Sequence, residues 1–150
     1  MAILDTLNQF CSGTAFNGGG VGLYLIGSQI DMLKTSPLPG NSDSIYFVAE
    51  LATDMTGAGS SVSIELASDG TAAIAVDGSQ TTHFISATVA LANAKAGTRI
   101  CAVELPRGSY QQFLGVIQHT IGAAITGGTI NCYLTNDPTA HDVTPAPFQA

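Results

Sequence analysis

Between Arg99 and Asn136 three apolar runs are separated by two turn signals, and this stretch restricts the chain to few folds. In the first run Cys101, Val103 and Leu105 alternate with Ala102 and Glu104. In the last, Ile130, Cys132 and Leu134 alternate with Asn131, Tyr133 and Thr135. A period of two places one set on each face of a β-strand. The middle run, Tyr110 to His119, is apolar at neighbouring positions, Phe113-Leu114 and Val116-Ile117. That pattern fits a strand covered on both faces. One cover is the core, and the other is expected to be a partner protein.

The preceding residues carry the same kind of signal. Val21 to Ile26 opens a strand that can run on toward Leu33. Ile45 to Ala52 sets Ile45, Phe47, Ala49 and Leu51 against Tyr46, Val48 and Glu50. Val62, Ile64 and Leu66 alternate with Ser61, Ser63, Glu65 and Ala67, which predicts one wet face. Asp69-Gly70 reads as a hairpin turn, with a return strand over Thr71 to Val76 and Ile74 pointing inward; Asp77-Gly78 reads as a second turn. His83 to Val89 is a further strand, and Leu91 to Gly97 a helical turn or a loop. About eight strands with short connections and no long helix predict an all-β chain, an antiparallel β-sandwich or jelly roll. Residues 1–20 read as an N-terminal arm with a hinge at Gly18 to Gly20, 21–137 as the β domain, and 138–150 as an extended C-terminal tail holding Pro138, Pro145 and Pro147. In the arm the spacing of Ile3, Leu4, Leu7 and Phe10 fits a short amphipathic helix or a strand-like segment.

Charge excludes several functions. Only 10% of residues are charged, against about 25% in ordinary soluble domains. Such a surface relies on uncharged polar groups or hides against neighbours, which points to an assembly. With four Lys+Arg and a net charge of −7, direct binding to nucleic acid or to anionic membranes is not expected. The first ten residues lack a basic region before a long apolar run, so no signal peptide is expected, and no window approaches the about 18 apolar residues of a membrane helix. These features suit synthesis in a reducing cytoplasm.

Chemistry-bearing patterns are sparse. Cys11, Cys101 and Cys132 match no zinc spacing. Cys101 and Cys132 read as core residues, with a bridge between them left open. His83, His119 and His141 have no ligand partner at a strand or helix spacing, and no nucleophile-elbow signature is present. Asp69 and Asp77 read as turn formers. No catalytic residue, cofactor or metal is expected.

Four elements then form a recognisable series: Ile3-Leu4-Asp5 at the start, Leu105-Pro106-Arg107-Gly108 closing a strand, the Tyr/Phe-rich Tyr110 to Val116, and Thr126 to Asp137 with its Thr/Gly turn and last strand. This series resembles the capsid cement (decoration) proteins of tailed bacteriophages, of the Bordetella-phage type. The similarity follows strand order over most of the chain and is most specific from Leu105 to Asp137. The Gly40 to Asp43 stretch and the Ala/Pro-rich tail lie outside it. The resemblance implies a jelly-roll-like domain on the outer surface of a virion, forming homodimers or homotrimers and clamping the major capsid protein. Contacts with the capsid or a second copy are expected from Ile3, Leu4, Leu7, Phe10, Arg107, Phe113, Ile117 and Phe148. A carbohydrate- or receptor-binding jelly-roll module on a virion is the alternative. The absence of Trp and the scatter of the four Tyr count against it.

Overall fold

The structure, a computed structural model, describes residues 8–33 and 44–136. Eleven strands follow in chain order: β1 Gln9–Ala15, β2 Gly22–Asp31, β3 Tyr46–Leu51, β4 Thr56–Gly57, β5 Ser61–Asp69, β6 Thr81–Ile85, β7 Val89–Ala90, β8 Arg99–Glu104, β9 Phe113–Ile121, β10 Ile125–Gly127 and β11 Thr129–Thr135. A short 3-10 turn, Leu91–Asn93, follows β7. The chain is all-β, and every strand pairing is antiparallel.

The long strands form two sheets. The front sheet runs β1-β11-β3-β8 and the back sheet β2-β9-β5-β6. Counting only these eight strands in chain order, the sheets read 1-8-3-6 and 2-7-4-5, the interleaved order of a jelly roll built from two Greek keys. Short β4 pairs β10 beside the sandwich, and β7 adds to β5. The alternation read in β3, β5 and β11 supplies the core. Phe47, Leu51, Ile130 and Cys132 from the front sheet meet Ile64, Leu66, Leu114 and Val116 from the back sheet. Removal of these side chains from water is the main favourable term for the fold.

The N-terminal region differs from the expected arm. Cys11 to Ala15, expected in a loop, continues β1 as an edge strand of the front sheet. Two register shifts against β11 and a positive φ at Gly13 break its period of two, so the sequence pattern hides it. The crossover from β1 to β2 is held from inside. Gln118 is buried, accepts the Asn17 N–H through Oε1 at 2.8 Å and donates through Nε2 to the Asn17 carbonyl at 3.0 Å. The residue just before the expected Gly18–Gly20 hinge is thus tethered to the core by the Gln118 amide.

Residues 71–76 form no strand. Asp69 accepts the N–H groups of Thr71 and Ala75 through its two carboxylate oxygens, at 3.4 and 3.3 Å, and turns the chain back on itself. The return partner of β5 is β6, ten residues further on than expected at its start. Nor is one face of β5 wet: Ser63, Glu65 and Ala67 are as buried as Val62, Ile64 and Leu66. Glu65 sits between Ile117 and Ile85 in register and accepts a hydrogen bond from the Thr82 hydroxyl.

Candidate functional site

The outward face of the back sheet is set by parity. In β9 the side chains of Leu114, Val116 and Gln118 enter the sandwich, so Phe113, Gly115, Ile117 and His119 face outward. Pairing places Leu23 beside His119 and Leu25 beside Ile117 on β2, and Ser63, Glu65 and Ala67 along β5. Ile117 is fully buried, and the cover expected from a partner is supplied by this chain. Ile74 packs on Ile117 and Ala67 in a small second cluster, flanked by Leu23, Leu25 and Phe113. Gly115 makes this possible, because a Cβ there would lie 2.7 Å from Ile74 Cδ1. The Ile74 N–H donates to Gln29 Oε1 at 3.1 Å, so residues 70–80 are pinned from both β5 and β2.

Around that plug the surface stays apolar. Leu23, Leu25 and Phe113 are half-buried, Ile85 on β6 is 55% exposed and Val76 37%. None of β2, β5, β6, β9 or residues 70–80 contains Lys or Arg. The acids there are engaged locally: Asp31 with the Leu33 N–H and the Gln112 amide, Glu65 with Thr82, Asp69 with the loop amides, and Asp77 with Ser79. The Ser79 hydrogen bonds hold the Asp77 carboxyl below its ordinary value.

The other residues expected at a contact are placed apart from this face. Phe10 is buried in the main core, its ring edge-on to Phe47 at 5.9 Å, so its apolar surface is spent inside the chain. Arg107 is exposed in the turn after β8. Ile3, Leu4, Leu7 and Phe148 lie outside the described residues. Of the expected set the fold therefore joins Phe113 and Ile117. It adds Leu23, Leu25, Ile74, Val76 and Ile85, which sequence reasoning did not connect because the face exists only once β2, β9, β5 and β6 are in register.

Two polar clusters invite a chemical reading. At one end of the back sheet His83 Nε2 lies 2.7 Å from Ser68 Oγ, and the His83 ring stacks on Tyr110 with centroids 4.0 Å apart. A hydroxyl beside an imidazole is the beginning of an activated nucleophile. Here Ser68 is fully buried, and its oxygen already accepts the Gln111 N–H at 3.1 Å. A substrate carbonyl has no approach, and the cluster works as a tie between β5, β6 and residues 106–112. Burial lowers the His83 pKa and raises that of Tyr110, whose hydroxyl donates to the Pro106 carbonyl.

On the outward face of the front sheet, Arg99 Nη2 stands 3.8 Å from Glu50 Oε2, beside Tyr133. Burial, reinforced by the Glu50 charge, pushes the Tyr133 phenol up to about 12. A neutral phenol, a carboxylate and a guanidinium in contact form a clamp across β11, β3 and β8. Among the described residues no three His, Cys, Asp or Glu side chains are placed to hold a metal ion. No helix among them is long and apolar enough to cross a membrane. No protein-family model matches the chain, and no curated protein matches it.

Proposed function

We propose that this chain is a structural virion protein that adheres to the outer surface of a phage capsid as a homo-oligomer and cements neighbouring major capsid proteins. The observation that carries the reading is the outward face of the back sheet. Leu23, Leu25 and Phe113 surround the Ile74 plug, Val76 and Ile85 stand exposed beside it, and no cation lies on the elements that form it. Such a face loses little on leaving water and gains apolar contact against a matching surface. A jelly roll held by tethers on both sheets supplies a stiff body, and repetition around a shell turns modest single contacts into strong retention. The strand-order resemblance supplies the partner class. A glycan-binding role gains less support, because the large exposed apolar residues described, Val21, Leu33, Val76 and Ile85, include no aromatic ring on which a sugar could stack.

The test is co-sedimentation with empty phage shells, paired with sedimentation velocity of the free protein. Oligomers that pellet with assembled shells, and bind dispersed coat subunits weakly, are expected. A monomer that ignores shells, or one that gives clear hits on a glycan array, would overturn the proposal.

A further inference from the structure

Cys11 and Cys132 face each other across the β1–β11 ladder as direct register partners. Both side chains belong to the main core and both are buried, at 1% and 0% exposure. Directly opposed residues of an antiparallel pair have Cα atoms about 4.5–5.5 Å apart, inside the roughly 4.4–6.8 Å window that a disulfide spans.

Cys101 is excluded from the same reach. Cys132 pairs with Ala49 and Ala49 with Cys101, so two strand spacings separate them. At about 4.8 Å per spacing that is roughly 9.6 Å, beyond the about 7 Å limit for bridging without backbone movement. The Cys101–Cys132 bridge left open by the sequence is therefore ruled out by register.

We infer that Cys11 and Cys132 form a disulfide when the protein meets a hydroperoxide, stapling the edge strand β1 to β11. Three features favour closure. Register shifts on both sides of Cys11 interrupt the ladder there, so its backbone is less constrained than that of a regular strand. Gly27 on β2 presents no side chain over the pair; a Cβ there would lie 2.5 Å from Cys11 Sγ. As an edge strand, β1 opens more readily than the central strands, which admits a small oxidant to an otherwise covered site.

The neighbouring Cys132 thiol lowers the Cys11 pKa, whereas burial raises that of Cys132, so Cys11 takes the role of the attacking thiolate. The Cys11 thiolate attacks one peroxide oxygen, breaking the O–O bond. It becomes a sulfenic acid and releases hydroxide or alkoxide. Cys132 sulfur then attacks the sulfenic sulfur, the S–O bond breaks, and the Cys132 proton leaves with the departing hydroxide as water. Two thiols are oxidised to one disulfide, and one hydroperoxide is reduced.

The experiment treats the full chain with dilute hydrogen peroxide, then alkylates and counts thiols by intact mass. Free thiols are expected to fall from three to one, with the loss of two hydrogens. Peptide mapping should join Cys11 to Cys132, and the melting temperature should rise by several degrees and return on reduction. Cys101→Ser should fall from two thiols to none, whereas Cys11→Ser should keep both of its thiols. Three alkylatable thiols after treatment, a linkage to Cys101, or an oxygen adduct on Cys11 with Cys132 still alkylatable would each overturn the inference. Mapping on the unsubstituted chain decides the matter even if a variant fails to fold.

Discussion

At Gly115 the missing side chain lets Ile74 seat directly on the back sheet. Gly115→Ala is expected to destabilise the protein by about 1–3 kcal/mol, because the new methyl overpacks that contact. Ile74→Ala should cost at least about 2 kcal/mol, through lost burial and the unroofing of Ile117. The two changes share one contact, so they should be non-additive: Gly115→Ala should cost much less when Ile74 is already Ala. Urea denaturation of the four proteins measures this. Full additivity would mean that Ile74 and Gly115 do not touch. His83 offers a second test at this scale. Its folded pKa lies below the ordinary 6.5 because burial opposes the charge. The unfolded chain therefore takes up a proton first as pH falls, so this contribution to stability is complete above about 6.5 and is lost progressively below it. His83→Gln should flatten that part of the curve when the two proteins are compared by denaturation between neutral and mildly acid pH.

Among the elements, residues 70–80 act as a lid that is part of the fold. Their position depends on Asp69, and Asp69→Ala is expected to cost about 1 kcal/mol and to speed amide exchange at Thr71 and Ala75 while leaving β5 and β9 protected. Uniform faster exchange across the back sheet would contradict this local role. The same segment marks the limit of sequence reasoning. Alternation in β3, β5 and β11 is enough to give the sandwich, because each keeps a period of two on its core face. Thr71 to Val76 also alternates, but a carboxylate that captures two nearby amides outcompetes ladder pairing. β1 was hidden for the opposite reason, since bulges disrupt its period although it pairs along its length. The doubly apolar pattern of β9 predicts two covers, and over Ile117 the second is Ile74 of the same chain, not a partner. Sequence gives the demand for burial, and only register says which segment meets it.

For the whole molecule, a net charge of −7 with few cations offers no long-range attraction to another acidic surface, so apolar area must dominate the proposed adhesion to a shell. Shell binding should therefore persist, or strengthen, as salt rises from about 0.1 M to 1 M, where the screening length shrinks from about 10 Å to 3 Å. Ile85→Asn should reduce co-sedimentation with shells at least tenfold while leaving thermal stability nearly unchanged, since the side chain is mostly exposed and the change sets no second carboxylate opposite Glu65. Loss of binding in salt, or full binding by Ile85→Asn, would place the adhesive surface elsewhere.

The pairing of Gln9 with Tyr133 places the start of β1 opposite the end of β11. The chain thus enters and leaves the jelly roll at one corner of the front sheet. A cargo domain grafted ahead of β1 and one grafted behind β11 would emerge side by side. A circular permutant with that corner bridged by a short linker, and with new ends cut elsewhere, would keep both sheets in their present order.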